Sequence, residues 1–344
     1  MRNRYFTKFN FSLMVAVFLF IFTFFSFSTD YIFPQGENFN LNNFTSMAQA
    51  RAEKVEFADE NFKKAALENL AKDEGPIKID EAENLEKFTA IEKEIADISG
   101  IEAFKNLEKL NLYNNEIENL SPVSRLENLQ ELIFEHNYIT DISPLSGLQD
   151  LEVFNFRYNS ISDLSPLSEL ENLQVIRLWG NKVEKVDAVD GLHRLEILTL
   201  SNNKVKNISG LEGAPSLKEL HLSRNKIEDI SPLSRLDNLE VLYLLENNIE
   251  DISPLTELNN LRELNFADNK VEKIEVLKGL DALEKVYFRE NLVKDITPLV
   301  ENENITELAS FRFNQINLED ERVKRQIEKL SDRLEVLRYR PQSQ

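Results

Sequence analysis

The chain has 344 residues, 60 acidic against 40 basic side chains, a formal net charge of −20, and no cysteine. The missing thiol excludes disulfides, thiol catalysis and thiolate metal sites. The acidic balance opposes binding to nucleic acid or anionic lipid, which would repel it.

Arg2, Arg4 and Lys8 precede an unbroken apolar stretch from Leu13 to Phe25, extendable to Phe11–Phe27. Positive charge ahead of an apolar run is the pattern of an export signal, expected over residues 1–28. Two fates stay open for it. Ser26-Phe27-Ser28 places small residues at cleavage spacing, which would make the segment a signal peptide; Ala48-Gln49-Ala50 is better spelled but lies too far on. A retained signal-anchor is the other fate, although the run is short for a span that needs about 20 residues. The expected location is secreted or cell surface, with membrane contact only through an uncleaved N-terminal segment. Residues 29–54 read as a polar linker.

Residues 55–84 read as a helical N-terminal cap. Phe62, Ala66 and Leu70 share a helical face and Asp59 can start the helix. Gly75-Pro76 breaks it, Ile77 and Ile79 alternate, and Asp80 is placed to begin a second short helix through Leu85.

Residues 85–304 hold ten abutting 22-residue copies of L-x-x-L-x-L-x-x-N-x-I-x-x-I-S-P-L-x-x-L-x-x, the first at Leu85 and the last at Leu283. This period and spelling predict an α/β repeat, a leucine-rich-repeat solenoid with a curved parallel β-sheet on its concave face, short 3₁₀ turns on its convex face, and helical caps at both ends. In the copy from Leu217, Leu220, His221 and Leu222 alternate inward, outward, inward, as in a strand with one buried face. Leu217, Ile227, Ile230, Leu233 and Leu236 complete seven inward side chains. One turn cannot bury these alone, so the core should run as a column through stacked turns about 4.8 Å apart.

The ninth position, where the chain bends out of the strand, carries Asn115, Asn137, Asn159, Asn181, Asn203, Asn225, Asn247, Asn269 and Asn291. A side chain that both donates and accepts can satisfy bent backbone on either side, so a buried amide ladder is expected. Lys93 takes that place in the first copy. Pro122, Pro144, Pro166, Pro232, Pro254 and Pro298 share one repeat position, each after Ser or Thr. A hydroxyl cap with Pro at the first helical position predicts a 3₁₀ or single α turn.

Over 305–344 the repeat decays. Ile305 and Leu308 keep the spacing, and Asn314 arrives one position late. Val323, Ile327, Leu330, Leu334 and Leu337 form one apolar stripe, predicting a capping helix from about Leu318 to Leu337.

The phrase D-I-S-P-L at Asp141–Leu145, Asp229–Leu233 and Asp251–Leu255, together with the F-A-D-E-N-F cap, resembles bacterial internalin-type leucine-rich-repeat proteins over residues 55–304. The 22-residue repeat is also similar to that of a eukaryotic phosphatase regulatory subunit. The internalin resemblance implies a surface or secreted protein that binds other proteins through its concave sheet. The sequence departs from better-known members: no immunoglobulin-like domain follows the repeats, and no L-P-x-T-G motif or cysteine for lipidation is present. Host-cell invasion does not follow from the resemblance.

Strand positions three, five and seven, flanked by two and eight, should face outward. They supply the candidate partner-binding residues Tyr113, Ile133, Val153, Arg157, Tyr158, Val175, Arg177, Trp179, Tyr243, Leu245, Tyr287 and Arg289. A lone Trp beside two arginines and a tyrosine has the composition of a binding hot spot. The spacing brings Arg157 or Arg177 within reach of cation–π contact with Trp179 or Tyr158, and Gly180 should leave space beside the indole. Aromatic neighbours that only stabilise an exposed sheet are the alternative.

No catalytic cluster emerges. His136 and His221 lie four copies, or about 19 Å, apart, too far for one metal. No glycine-rich phosphate loop and no poised acid–base pair stand out. The expectation is a non-enzymatic, monomeric, exported solenoid that binds a protein or peptide on its concave face, with no metal, cofactor or nucleic acid. A regulatory scaffold for an enzyme such as a phosphatase, and a self-associating envelope or adhesion protein, are the alternatives.

Overall fold

The L-x-L core of each repeat buries two side chains and turns the one between them outward, which sets a strand. The computed structural model describes residues 54–342 and shows one open, twelve-stranded parallel sheet whose strands follow sequence order. The strands are β1 Lys87–Thr89, β2 Lys109–Asn111, β3 Glu131–Ile133, β4 Val153–Asn155, β5 Val175–Arg177, β6 Ile197–Thr199, β7 Glu219–His221, β8 Val241–Tyr243, β9 Glu263–Asn265, β10 Lys285–Tyr287, β11 Leu308–Ser310 and β12 Val336–Arg338. Equivalent residues of successive copies face each other, as in Val153, Val175 and Ile197. The inward positions form one continuous buried cluster from Phe62 to Leu334. Within it the rings of Phe266, Phe288 and Phe311 stack at 5.5 and 5.3 Å from turn to turn.

Strands β2 to β10 are each left through a left-handed residue at the eighth position. Its φ lies between 53° and 58° at Asn114, His136, Tyr158, Asn202, Arg224, Glu246, Asp268 and Glu290, and is 71° at Gly180. The bend orphans backbone groups, and the asparagine after it takes them up. Asn159 Nδ2 donates to Phe134 O (2.8 Å) and Phe156 O (3.1 Å), while its Oδ1 accepts from Ile139 N–H (3.0 Å). Equivalent bonds run from Asn115 to Asn291. Asn314 makes them too, and the Gln342 side chain bonds Phe311 O and Asn314 N–H beyond it. Asn314 is late in sequence because Lys285 pairs with Leu308, one residue further on than the repeat requires.

The turns opposite the sheet are mostly 3₁₀, as at Ser143–Leu145 and Ser231–Arg235. Their caps correct the sequence expectation. Ser143 is itself the first helical residue and its hydroxyl caps nothing; Asp141 Oδ1, two residues back, accepts its N–H at 2.8 Å. The same bond recurs at Ser121, Ser165, Ser231, Ser253 and Thr297. A carboxylate or amide two residues upstream reaches that amide within the turn, which the shorter serine side chain on the same residue cannot.

At the N-terminal end, helix α1 (Glu60–Asn69) buries Phe62 and Ala66. Asp59 caps it through Asn61 and Phe62 N–H, and its other oxygen takes Ala96 N–H from the first copy. Helix α2 is only Ile79–Ala82. It starts one residue before Asp80, because the Glu81 side chain accepts Lys78 N–H. At the C-terminal end, α3 (Thr297–Glu301) replaces a 3₁₀ turn and α4 (Glu321–Arg333) is shorter than predicted. Leu334 turns extended at ψ 137°, and Leu337 belongs to β12. The open edge of β11 offers a ladder of hydrogen bonds that continuing the helix would forgo.

The apolar run, both cleavage sequences and the linker through residue 53 lie outside the described residues. Among the described residues no helix is long and apolar enough to cross a membrane.

Candidate binding face

The parallel register decides which outward residues meet. At the third position Val153, Val175 and Ile197 lie side by side, and at the fifth Ile133, Asn155, Arg177 and Thr199 do. Past the strand ends, four rings form a row on successive copies. Tyr113 meets His136 edge-on at 5.7 Å, His136 stacks on Tyr158 at 4.0 Å, and Tyr158 tilts against Trp179 at 4.4 Å. The row mixes seventh and eighth positions because the left-handed bend at His136 and Tyr158 brings their rings beside the seventh-position side chains. Tyr158 is 41 % exposed, and with its three ring neighbours it makes a contiguous patch instead of a lone exposed side chain.

Two local expectations are overturned here. Gly180 leaves no open space beside the indole, since a Cβ on it would lie 3.3 Å from the Tyr158 ring. Cation–π contact to Tyr158 or Trp179 is not made either; among the described residues the one cation over a ring is Arg340, on Tyr339. Arg157 is taken by Glu135, one copy back, at 2.8 Å and by Asn155 Oδ1 at 3.2 Å. A charged carboxylate in reach is a stronger partner than a ring face.

The remaining candidates form a separate group, about 14–24 Å along the sheet from Trp179. Tyr243 donates to Glu263 Oε1 at 2.5 Å, and burial, then that bond, push its phenol well above the usual range. His221 stacks on Tyr243 at 4.5 Å, and burial holds its imidazole below the ordinary value against the pull of Glu219 and Glu263. Burial also pushes the Tyr287 phenol up. Arg289 is clamped between Asp268 (2.6 Å) and Glu290 (2.5 Å). Burial, then a hydrogen bond that the protonated carboxyl donates to Glu290, push Asp268 up to about 6, with Arg289 opposing. Leu245 is half-buried beside this group. Arg289, the basic side chain of this group, is thus neutralised from within.

Sequence reasoning missed Thr199, Ser201 and Ser223, which lie low in the face between the two groups and are buried. Thr199 Oγ1 has no hydrogen-bond partner. Their signal was present, as small residues at positions five and seven between bulky ones in neighbouring copies. Two shallow depressions lie elsewhere, one at Arg262, Glu284 and Thr306, the other at Lys206, Asp229 and Pro232. Among the described residues no three His, Asp or Glu side chains are placed to hold a metal ion.

Residues 127–169 and 215–257 match the family model described as leucine-rich repeats in two copies, and residues 171–227 match a second leucine-rich-repeat model. The chain is similar to a crystal structure of an internalin (InlF) from Listeria monocytogenes, with 26 % identity, 82 % of this chain and 95 % of that one covered, and a TM-score of 0.55. It is similar to internalin C2 of the same organism at 28 % identity, covering 67 % and 94 %, with a TM-score of 0.53. A leucine-rich-repeat protein of Leptospira interrogans shares the fold at 23 % identity, covering 90 % and 83 %, with a TM-score of 0.69. No curated protein sequence matches the chain. Proteins of this repeat generally mediate protein–protein interaction and are typically non-enzymatic scaffolds.

Proposed function

We propose that this chain, an internalin-like leucine-rich-repeat protein, binds a protein or peptide on its concave strand face, centred on Tyr158, Arg177 and Trp179. The observation that carries the reading is the row Tyr113–His136–Tyr158–Trp179, continuous over four copies and flanked by the apolar row Val153–Val175–Ile197. Such a surface is costly to leave in water and has the composition of a binding hot spot. The amide ladder fixes the strands before contact, so association loses little ordering entropy. An open face without a deep cavity suits a polypeptide better than a small substrate. The protein acts after export, a reading supported by Arg2, Arg4 and Lys8 ahead of the Leu13–Phe25 run.

Peptides selected from a displayed random library on the full chain supply ligands for the test. Arg177→Ala combined with Trp179→Ala should weaken them at least tenfold while the thermal midpoint moves by only a few degrees. Unaltered affinity in the double variant would remove the site from this part of the face.

A further inference from the structure

On the strands of copies two to ten the basic side chains follow a simple charge rule with one exception. Across copies two to ten, positions two to eight carry eight basic side chains: Lys109, Arg157, Arg177, Lys218, Arg224, Arg262, Lys285 and Arg289. Seven of them lie within ion-pair distance of a carboxylate on the same or a neighbouring copy. Arg177 alone has no acid partner among the described residues. In a chain with 60 carboxylates this is a specific omission. Its register neighbours are both neutral: Asn155, whose amide is committed to Glu135 and Arg157, and Thr199. Thr199 is 9 % exposed and its Oγ1 has no hydrogen-bond partner. An unpaired guanidinium thus stands beside a buried hydroxyl that lacks a partner.

We infer that Arg177, with Thr199 beside it, receives one carboxylate from an Asp or Glu side chain within a partner polypeptide, and that apolar residues flank that acid. The charge is complementary, because an anion arriving here meets the one basic side chain on the strands of copies two to ten that has no acid partner. A guanidinium can hold a carboxylate with two parallel N–H donors, which a hydroxyl or amide of the partner could not match. The flanks decide where the acid sits in the partner. On one side of Arg177 is the row Val153–Val175–Ile197 and on the other are Tyr158 and Trp179. Apolar surface on both sides wants apolar side chains on both sides of the acid, so an internal residue fits and a chain terminus does not. This inference rests on the binding-face reading above and adds the chemistry of what that face selects.

The test uses peptides from the displayed random library, selected on the full chain as wild type, as Arg177→Gln and as Arg177→Glu. Equal thermal melts will confirm that these variants fold, as expected for a side chain without an ion-pair partner. Wild-type selection should enrich Asp or Glu flanked by aliphatic or aromatic residues, and Arg177→Glu should turn that enrichment to Lys or Arg. In the best wild-type peptide, replacing the acid by its amide should weaken binding at least tenfold to wild type and less than twofold to Arg177→Gln. If selected peptides lose binding to the combined Tyr158→Ala, Trp179→Ala variant but show no acid preference, or lose equally from the amide exchange on both proteins, the carboxylate assignment is wrong and the binding face stands. If peptides bind that combined variant as well as wild type, or none is enriched over it, both readings fail.

Discussion

Replacing Asn181 by Ala tests the ladder at its middle. The Asn181 side chain accepts from Ile161 N–H at 3.0 Å and donates to Phe156 O at 2.9 Å and Leu178 O at 3.1 Å. The two carbonyls are not orphaned by the substitution, because Phe156 O keeps Asn159 and Leu178 O keeps Asn203. Ile161 N–H loses its only partner in a buried setting. One orphaned donor costs about 1–3 kcal/mol, and each half-satisfied carbonyl adds about 0.5–1 kcal/mol, giving about 2–5 kcal/mol. Urea unfolding followed by circular dichroism measures the total. Because a repeat array can open in part, hydrogen exchange at Ile161 measures the local share. A loss below about 0.5 kcal/mol, with Ile161 exchange unchanged, would refute the claim that these amides hold the turns together.

Gly210→Ala should destabilise the array by about 1–3 kcal/mol, since its Cβ would lie 2.4 Å from Val186 O, and backbone cannot step aside. Gly147→Ala, with nothing within 4 Å, is the control and should be neutral in the same thermal melt. Asp268 is raised from 3.8 to about 6 in the fold, so it favours the folded state at pH below the lower value and loses that contribution as pH rises from about 4 to about 6. Asp268→Asn should remove this slope. Between pH 4 and pH 7 the stability of variant minus wild type should rise by about 1 kcal/mol after solvent screening, and urea midpoints with identical pH dependence would contradict the assignment.

Where a feature repeats at a fixed period, the sequence shows it directly. The inward leucines and the asparagine ladder recur every copy, so one correct strand assignment places all of them. Features that break the period were harder to read. Leu334 and Leu337 fit a helical stripe, yet the open edge of β11 pulls Leu337 into a strand. The pairing of Arg157 with Glu135 was legible in principle, since both occupy the seventh position one period apart. The closure of the space beside Trp179 was not, because it depends on the left-handed bend at Tyr158 and Gly180, which sequence spacing does not reveal. The unpartnered state of Arg177 likewise needed every neighbouring ion pair to be placed first.

Trp179 is the only tryptophan in the chain, which makes the central claim directly measurable. A selected peptide free of tryptophan should, on titration into the full chain, shift or quench the emission saturably with the Kd found by calorimetry. Heat of binding without any change in that emission would show that the ligand docks away from Tyr158, Arg177 and Trp179.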